Sequence, residues 1–152
     1  MNLPSPSEGR IKMEENLVTL KIDDKEVKVK QGTTILQAAK QAGIDIPTLC
    51  FLKDINEVGD CRMCIVEVDG RKGFATSCIQ KAEEGMVVHT HSPAVMEARR
   101  VILDLILSNH HRDCLTCSRN GNCELQALAM KFNVQHVEFE GEMTEHKVDD
   151  KS

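Results

Sequence analysis

From Leu17 onward the chain alternates apolar and polar residues with a period of two, which is the pattern of a half-buried β-strand. Three apolar residues share the first face: Val18, Leu20 and Ile22. A polar stretch, DDKE, follows, and then a second short apolar face formed by Val27 and Val29. Because turn-forming residues separate two alternating runs, the pattern predicts a β-hairpin.

The spacing of apolar residues becomes helical after the hairpin. Thr33-Thr34 offers an N-cap. The apolar positions that follow recur at helical intervals: Ile35, Leu36, Ala38, Ala39 and Ala42. Gly43 is a natural residue to end this helix. The order strand, strand, helix is the opening of a β-grasp fold.

Residues 50–64 lack periodicity and include Gly59, so they are predicted to form a loop. Three further short strands are predicted, over residues 65–70, 72–76 and 86–89. The fold class predicted from these elements and the helices that follow is α+β.

Two helices are predicted in the second half of the chain. The first begins at Ser92-Pro93, where serine supplies the N-cap and proline the first helical position, and it ends near Ser108-Asn109. Its predicted apolar stripe consists of Val95, Ala98, Ile102, Leu105 and Ile106, widened by Leu103 and Leu107. A shorter helix begins around Cys123 and carries Leu125, Leu128, Ala129 and Phe132.

Composition excludes several classes of function. The chain has 152 residues, enough for one domain or two small ones, and a net charge of −5 that argues against binding phosphate backbones or anionic membranes. It has four phenylalanines and no tryptophan or tyrosine, so a base-stacking surface for nucleic acid is not expected. No apolar run reaches the roughly 18 residues that a membrane span needs.

The seven cysteines are an odd number, which a secreted disulfide scaffold would not fully pair. The N-terminus also lacks the basic, apolar and small-residue pattern of an export signal. We therefore expect a cytoplasmic protein, because clustered thiols in the reducing cytosol usually bind metal.

The first group of cysteines has the spacing C-x10-C-x2-C-x13-C: Cys50, Cys61, Cys64 and Cys78. A 2Fe–2S cluster needs four thiolates, two for each iron, and an irregular loop containing Gly59 allows the close backbone approach that the sulfides require. The alternative is a four-cysteine zinc site, although such sites typically contain two C-x2-C pairs and this group has one.

The second group has the spacing H-x3-C-x2-C-x5-C: His110, Cys114, Cys117 and Cys123. Three thiolates and one imidazole could bind the four irons of a 4Fe–4S cluster, but a Cys3His zinc site uses the same donors. His110 is favoured by spacing, with the adjacent His111 as the fallback. The remaining histidines are His89, His91, His136 and His146.

These two groups, in this order and joined by a Ser-Pro-started helix, resemble the N-terminal iron–sulfur region of one superfamily. It is shared by the largest peripheral subunit of respiratory complex I (NADH:quinone oxidoreductase), by iron-only hydrogenases and by NAD(P)-linked formate dehydrogenases. The resemblance covers about residues 16–140, and the stretch NGNCELQ is closer to the hydrogenase and formate dehydrogenase branch.

The resemblance implies one 2Fe–2S cluster on the first group of cysteines, within a ubiquitin-like β-grasp domain over residues 16–91. It implies one 4Fe–4S cluster on His110 and the second group, within a small helical domain over residues 92–140. Residues 1–15 are expected to be a disordered leader and residues 141–152 a linker-like tail. The implied partners are a flavin subunit that oxidises NAD(P)H and a catalytic oxidoreductase subunit.

Three functions compete at this point. The first is an electron-transfer module, either a stand-alone subunit or a fragment of a longer polypeptide, because the sequence contains no hydrogen-cluster cysteines, molybdopterin site, flavin site or GxGxxG fingerprint. The second is a zinc-stabilised module that binds other proteins through the same thiols. The third is an enzyme in its own right, which no catalytic constellation supports.

Overall fold

The computed structural model describes residues 16–52, 54–55 and 57–141. The predicted leader and all of the predicted tail beyond Gly141 lie outside the described residues. Within them the element order is β1 (Leu17–Ile22), β2 (Lys25–Lys30), α1 (Ile35–Gln41), β3 (Ile65–Val68), β4 (Phe74–Thr76), β5 (Val87–His89), α2 (Pro93–Ser108) and α3 (Glu124–Lys131). Among these helices, none has the length and apolarity needed to cross a bilayer.

The five strands form one mixed sheet in the order β2-β1-β5-β3-β4. β1 pairs antiparallel with β2, and Val18 lies opposite Val29 as the alternation requires. On its other side β1 pairs parallel with β5, which pairs antiparallel with β3. This hairpin, crossover helix and returning parallel strand confirm the predicted α+β, β-grasp architecture.

The turn between β1 and β2 is tighter than the predicted DDKE stretch and uses only two residues. Asp23 and Asp24 have φ of +47° and +67°, the left-handed values that a two-residue type I′ turn requires. The Asp23 carboxylate also accepts hydrogen bonds from Thr90, one from its backbone N–H at 2.7 Å and one from its hydroxyl. The hairpin tip is thereby joined to the segment that connects β5 to α2.

The first helix has both of its predicted ends. The Thr34 hydroxyl accepts a hydrogen bond from the Gln37 N–H at 3.3 Å, and the Gln37 side chain accepts one from the Thr34 N–H at 3.4 Å. These reciprocal bonds form a capping box. Gly43 follows the last turn with φ of +74°. The buried face of α1 packs on the sheet through Ile35, Ala38 and Ala39.

A second apolar core lies where α2 and α3 meet the loop that precedes β3. Its buried members are Met63 from the loop, Leu103 from α2 and Phe132 at the end of α3. Arg100 and Asp104 secure the chain after α3, since Arg100 donates to the Phe132 carbonyl at 3.1 Å and Asp104 accepts from the Glu138 N–H at 3.0 Å. The loop of the first cysteine group therefore shares a core with the helices that flank the second.

Candidate metal centres

The fold brings the first four cysteines together from two segments of the chain. Cys50, Cys61 and Cys64 lie on the connection between α1 and β3, and Cys78 follows β4. The Cys61 N–H donates to the Cys50 Sγ over 3.4 Å, and the thiols of Cys64 and Cys78 are hydrogen-bonded to each other. No disulfide joins any of the seven cysteines, all of which lie in the described residues.

Electrostatics at this site favour a bound cation. Burial raises the pKa of the Cys78 thiol to about 12, and the bond to Cys64 and the nearby Cys50 and Cys61 contribute to that rise. Four thiolates brought together in this way repel one another unless positive charge is placed among them. Because a metal ligand must be deprotonated, iron would supply that charge and displace the protons. The donor set and its crowding therefore fit a cluster with four thiolate ligands.

The backbone around the two most buried cysteines is tightly bonded. Cys64 and Cys78 are each 1% exposed, whereas Cys50 and Cys61 are only partly buried. The carbonyl of Cys64 accepts two bonds from Ser77, from its N–H at 3.2 Å and from its hydroxyl at 2.6 Å. Because Ser77 immediately precedes Cys78, these bonds hold the two cysteine backbones in register. The inner side of the site is therefore preorganised.

Gly59 allows the loop to approach the sheet closely. Its φ is +69°, and an added Cβ would lie 3.2 Å from the Thr76 methyl group and 3.3 Å from the Ile79 Cδ1. Arg62 also has a positive φ, +59°, and its guanidinium donates to the Thr76 hydroxyl at 2.8 Å. The loop is therefore held against the end of β4, the strand that leads to Cys78.

The second group lies along one connection between α2 and α3. His110 follows the C-cap of α2 and donates its N–H to the Leu107 carbonyl at 3.2 Å. Cys123 is the N-cap residue of α3, and its thiol makes no capping bond. The Arg119 N–H donates to the Cys117 Sγ over 3.4 Å, the kind of backbone-to-sulfur bond that tunes an iron–sulfur ligand. These side chains are partly or fully exposed, as ligands of a surface cluster would be.

In the described residues, no three His, Cys, Asp or Glu side chains are arranged around a point where a single metal ion could bind. Iron–sulfur clusters need no such point, because their ligands are distributed over several irons joined by sulfide. Among the other histidines, two are bonded elsewhere. His89 contacts Asp69 at 3.0 Å, and His91 lies 3.5 Å from the Asp23 carboxylate.

Arg99 is a residue at the first site that the sequence analysis missed. It lies on α2, is 0% exposed and donates hydrogen bonds to three backbone carbonyls. The predicted stripe of α2 was wrong in part, because Leu105 is 48% exposed. Four of the buried residues recur every four positions, Val95, Arg99, Leu103 and Leu107, and the adjacent Asp104 and Ser108 are buried as well. That interval is visible in the sequence, but an arginine within it ordinarily indicates polar surface.

Comparison with known families assigns both parts of the chain. Residues 15–93 match the model of the 2Fe-2S iron-sulfur cluster binding domain. Residues 99–138 match the NADH-ubiquinone oxidoreductase-G iron-sulfur binding region. The two matches together confirm the expected cofactor types, a 2Fe–2S cluster in the first segment and a 4Fe–4S cluster in the second. The individual ligands are not identified by these matches.

Curated relatives agree with this assignment. The NADP-reducing hydrogenase subunit HndD of Solidesulfovibrio fructosivorans is 44% identical over 140 residues, covering 88% of this chain and 24% of the relative. The NADH-ubiquinone oxidoreductase 75 kDa subunit of Reclinomonas americana is 38% identical over 123 residues, covering 81% of this chain and 18% of the relative. The chain thus spans less than a quarter of the length of these two relatives.

Among solved structures, an NAD+-reducing [NiFe]-hydrogenase in the H2-reduced state is similar, with a TM-score of 0.80 and 31% sequence identity. The similarity covers 88% of this chain and 56% of that one. At this identity and coverage, the β-grasp sheet and the helices after it are shared as one arrangement.

Proposed function

The chain belongs to the family of 2Fe-2S iron-sulfur cluster binding domains and carries a second, 4Fe–4S binding region, and from this premise we propose that it relays single electrons within a multi-subunit oxidoreductase. The clusters supply one-electron redox chemistry when bound. The residues of this chain would hold them and set the charge around them.

For the 2Fe–2S cluster the proposed ligands are Cys50, Cys61, Cys64 and Cys78. One observation carries this assignment: the fold brings the four thiols together from two segments, with the Cys61 N–H on the Cys50 Sγ at 3.4 Å and Ser77, next to Cys78, bonded to the Cys64 carbonyl at 2.6 Å. The Cys50–Cys61 and Cys64–Cys78 contacts place the four sulfurs in two pairs, which is the number of thiolates that the two irons would need. The proposed domain for this cluster is residues 16–91.

For the 4Fe–4S cluster the proposed ligands are His110, Cys114, Cys117 and Cys123, within a domain of residues 92–140. The connection that carries them is ordered by successive turns, in which the Cys117 N–H bonds the Cys114 carbonyl at 3.3 Å. Short spacings of this kind allow one segment to wrap around a cubane.

The proposed partners are a flavin subunit that oxidises NAD(P)H and a catalytic subunit of the hydrogenase or formate dehydrogenase type, with a complex I-type NADH dehydrogenase as the alternative. The similar proteins include subunits named for hydrogenase and for NADH-ubiquinone oxidoreductase, which supports either assignment. A cytoplasmic location is part of the proposal, since exposed thiols persist in a reducing compartment.

Metal analysis of the anaerobically purified chain tests this function. We expect roughly six irons and six acid-labile sulfides per chain, the sum of one 2Fe–2S and one 4Fe–4S cluster. Electron paramagnetic resonance of the dithionite-reduced protein should show two distinct signals. Stoichiometric zinc without labile sulfide would instead support the protein-binding module held by the same thiols.

A further inference from the structure

Arg99 places a buried positive charge on the side of α2 that contacts the backbone beside Cys64. It is the largest fully buried side chain in the described part of the chain. Burying a guanidinium is costly unless its nitrogens are hydrogen-bonded. A residue this costly in the core needs a compensating interaction, and the surroundings of Arg99 supply one.

Two of the three hydrogen bonds of Arg99 flank one proposed ligand, Cys64. Its Nε donates to the Met63 carbonyl at 3.1 Å and its Nη2 to the Ile65 carbonyl at 2.7 Å. These carbonyls belong to the residues on either side of Cys64. The third bond, from Nη1 to the Thr90 carbonyl at 3.0 Å, fixes the guanidinium to the segment after β5. The planar fork of arginine is suited to such a fixed arrangement, and lysine could not reproduce it.

The charge of Arg99 is retained in this environment. Burial lowers its pKa to about 10, while the nearby Cys64 sulfur and Asp23 carboxylate act in the opposite direction, so the guanidinium is protonated at neutral pH. Its three hydrogen bonds go to neutral carbonyls, which leaves its charge available to the anionic groups nearby. At the first site, Cys64 is the group whose charge acts on the pKa of Arg99.

We propose that Arg99 is a positioning residue for the 2Fe–2S cluster, which fixes the backbone on both sides of Cys64 and raises the cluster's reduction potential with a buried positive charge. This inference rests on the proposed function, because it requires the cluster at Cys50, Cys61, Cys64 and Cys78. Reduction adds an electron to an already anionic site, and a nearby cation stabilises the added charge. Since Arg99 lies on α2, the helix that leads to the second centre also sets the electrostatics of the first.

Two variants of the full chain separate the charge from the geometry. In Arg99→Met the charge and the fork are both lost, and in Arg99→Lys the charge remains without the fork. The midpoint potential of the 2Fe–2S signal is measured by anaerobic redox titration, with the second cluster as an internal reference. For Arg99→Met we expect the equilibrium constant for reduction to fall at least about tenfold, which is about 59 mV for one electron.

For Arg99→Lys we expect a potential close to that of the wild type but faster loss of 2Fe–2S iron to a chelator, because the backbone beside Cys64 is no longer held. Leu103→Ala is the matched control, since Leu103 is equally buried one turn further along α2. It should lower stability and leave the potential unchanged, which shows that loosening the helix alone does not shift the potential.

The outcomes are distinguishable. A wild-type chain without a 2Fe–2S signal would overturn the proposed function, and the role of Arg99 with it. A wild-type chain with the signal, combined with an unchanged potential in Arg99→Met or an equal shift in Leu103→Ala, would overturn the role of Arg99 alone. If Arg99→Met does not fold, Arg99→Lys decides, because wild-type chelator resistance or a potential that falls despite the retained charge would contradict the proposal.

Discussion

His110 is the one nitrogen donor among the eight proposed ligands, so its replacement tests ligand identity most directly. In His110→Cys a thiolate replaces a neutral imidazole, and the cluster gains negative charge. We expect the 4Fe–4S cluster to persist with a lower midpoint potential, because histidine in place of cysteine raises the potential of Rieske centres and the reverse exchange should lower it. Redox titration followed by electron paramagnetic resonance measures the shift.

The adjacent His111 provides the control for this experiment. It is exposed, as His110 is, and His111→Cys should leave the potential and the iron content unchanged. If His110→Cys has no effect and His111→Cys lowers the potential, the ligand is His111 and the fallback of the sequence analysis is correct.

Asp23 carries a second residue-scale prediction, which concerns stability and pH. Partial burial raises the pKa of its carboxyl, but the bonds from Thr90 and the nearby His91 outweigh that effect and hold the pKa below its usual value of 3.8. A lowered folded-state pKa contributes stability above the unfolded-state pKa and loses it as pH falls through the folded-state value. The contribution is therefore complete throughout the neutral range.

We expect Asp23→Asn to lower the free energy of unfolding by about 1 kcal/mol, which is below the usual range for bonds to a charged acceptor because the site is partly exposed. Denaturant unfolding of the cluster-loaded protein at pH 6, 7 and 8 should give the same difference at each pH. A difference that changes between pH 6 and pH 8 would contradict an effect that comes from the Asp23 carboxylate alone.

At the scale of elements, the loop between α1 and β3 depends on backbone shape rather than on periodic packing. Gly59→Ala combines a strained positive φ with contacts to Thr76 and Ile79 that are closer than most Cβ atoms make. We expect it to lower stability by about 1–2 kcal/mol from the dihedral strain alone and further from the contacts. Thermal unfolding and iron retention of the 2Fe–2S cluster measure the two consequences.

Gly73→Ala is the matched control for this loop variant. Gly73 has a similar φ of +80°, but an added Cβ there would meet nothing within 4 Å. It should therefore lose only the contribution of dihedral strain and should keep the 2Fe–2S iron. Equal losses in the two variants would mean that the approach of Gly59 to β4 has no role in the site.

Elements defined by local patterns were predictable from the sequence. The hairpin followed from alternation, and the ends of α1 and α2 from Thr34, Gly43 and Ser92, because capping is a short-range interaction. The buried face of α2 was predicted less well. The buried face includes Arg99 because its guanidinium donates to three backbone carbonyls. Those carbonyls belong to residues that are 9 to 36 positions away in the sequence.

The two cluster types were expected from the sequence and are confirmed by the family matches, whereas the individual ligands stay a prediction. The support around these ligands could not be predicted from the sequence. The bonds from Ser77 to the Cys64 carbonyl join residues whose proximity follows from strand pairing rather than from any motif. The order β2-β1-β5-β3-β4 likewise depends on one parallel pair that local patterns do not specify.

At the scale of the whole molecule, metal binding should stabilise the two cysteine-bearing segments more than it stabilises the sheet. The β1–β2 ladder is continuous and its inward side chains are buried, whereas residues 109–123 are exposed or only partly buried. Metal binding contributes folding energy chiefly to segments that lack a core of their own. We expect removal of iron to increase hydrogen exchange most in residues 110–123 and 50–64.

Hydrogen exchange with mass spectrometry, before and after anaerobic chelation, measures this difference. The amides of β1 and β2 should keep their protection, which serves as the internal control. Uniform loss of protection along the chain would instead mean that the clusters and the sheet form one cooperative unit.

Met63 is 0% exposed because its side chain is covered by α2 and by Phe132 near the far end of the described residues. The proposed 2Fe–2S domain over residues 16–91 therefore does not bury its apolar side chains by itself. If the chain were expressed only as far as residue 91, or grafted in that form onto another redox protein, it would lack α2 and α3. The apolar side chains of Met63 and Leu49 would then be exposed to water. A truncated form that keeps this core has to include α2 and α3, so the two proposed cluster sites have to be transferred together.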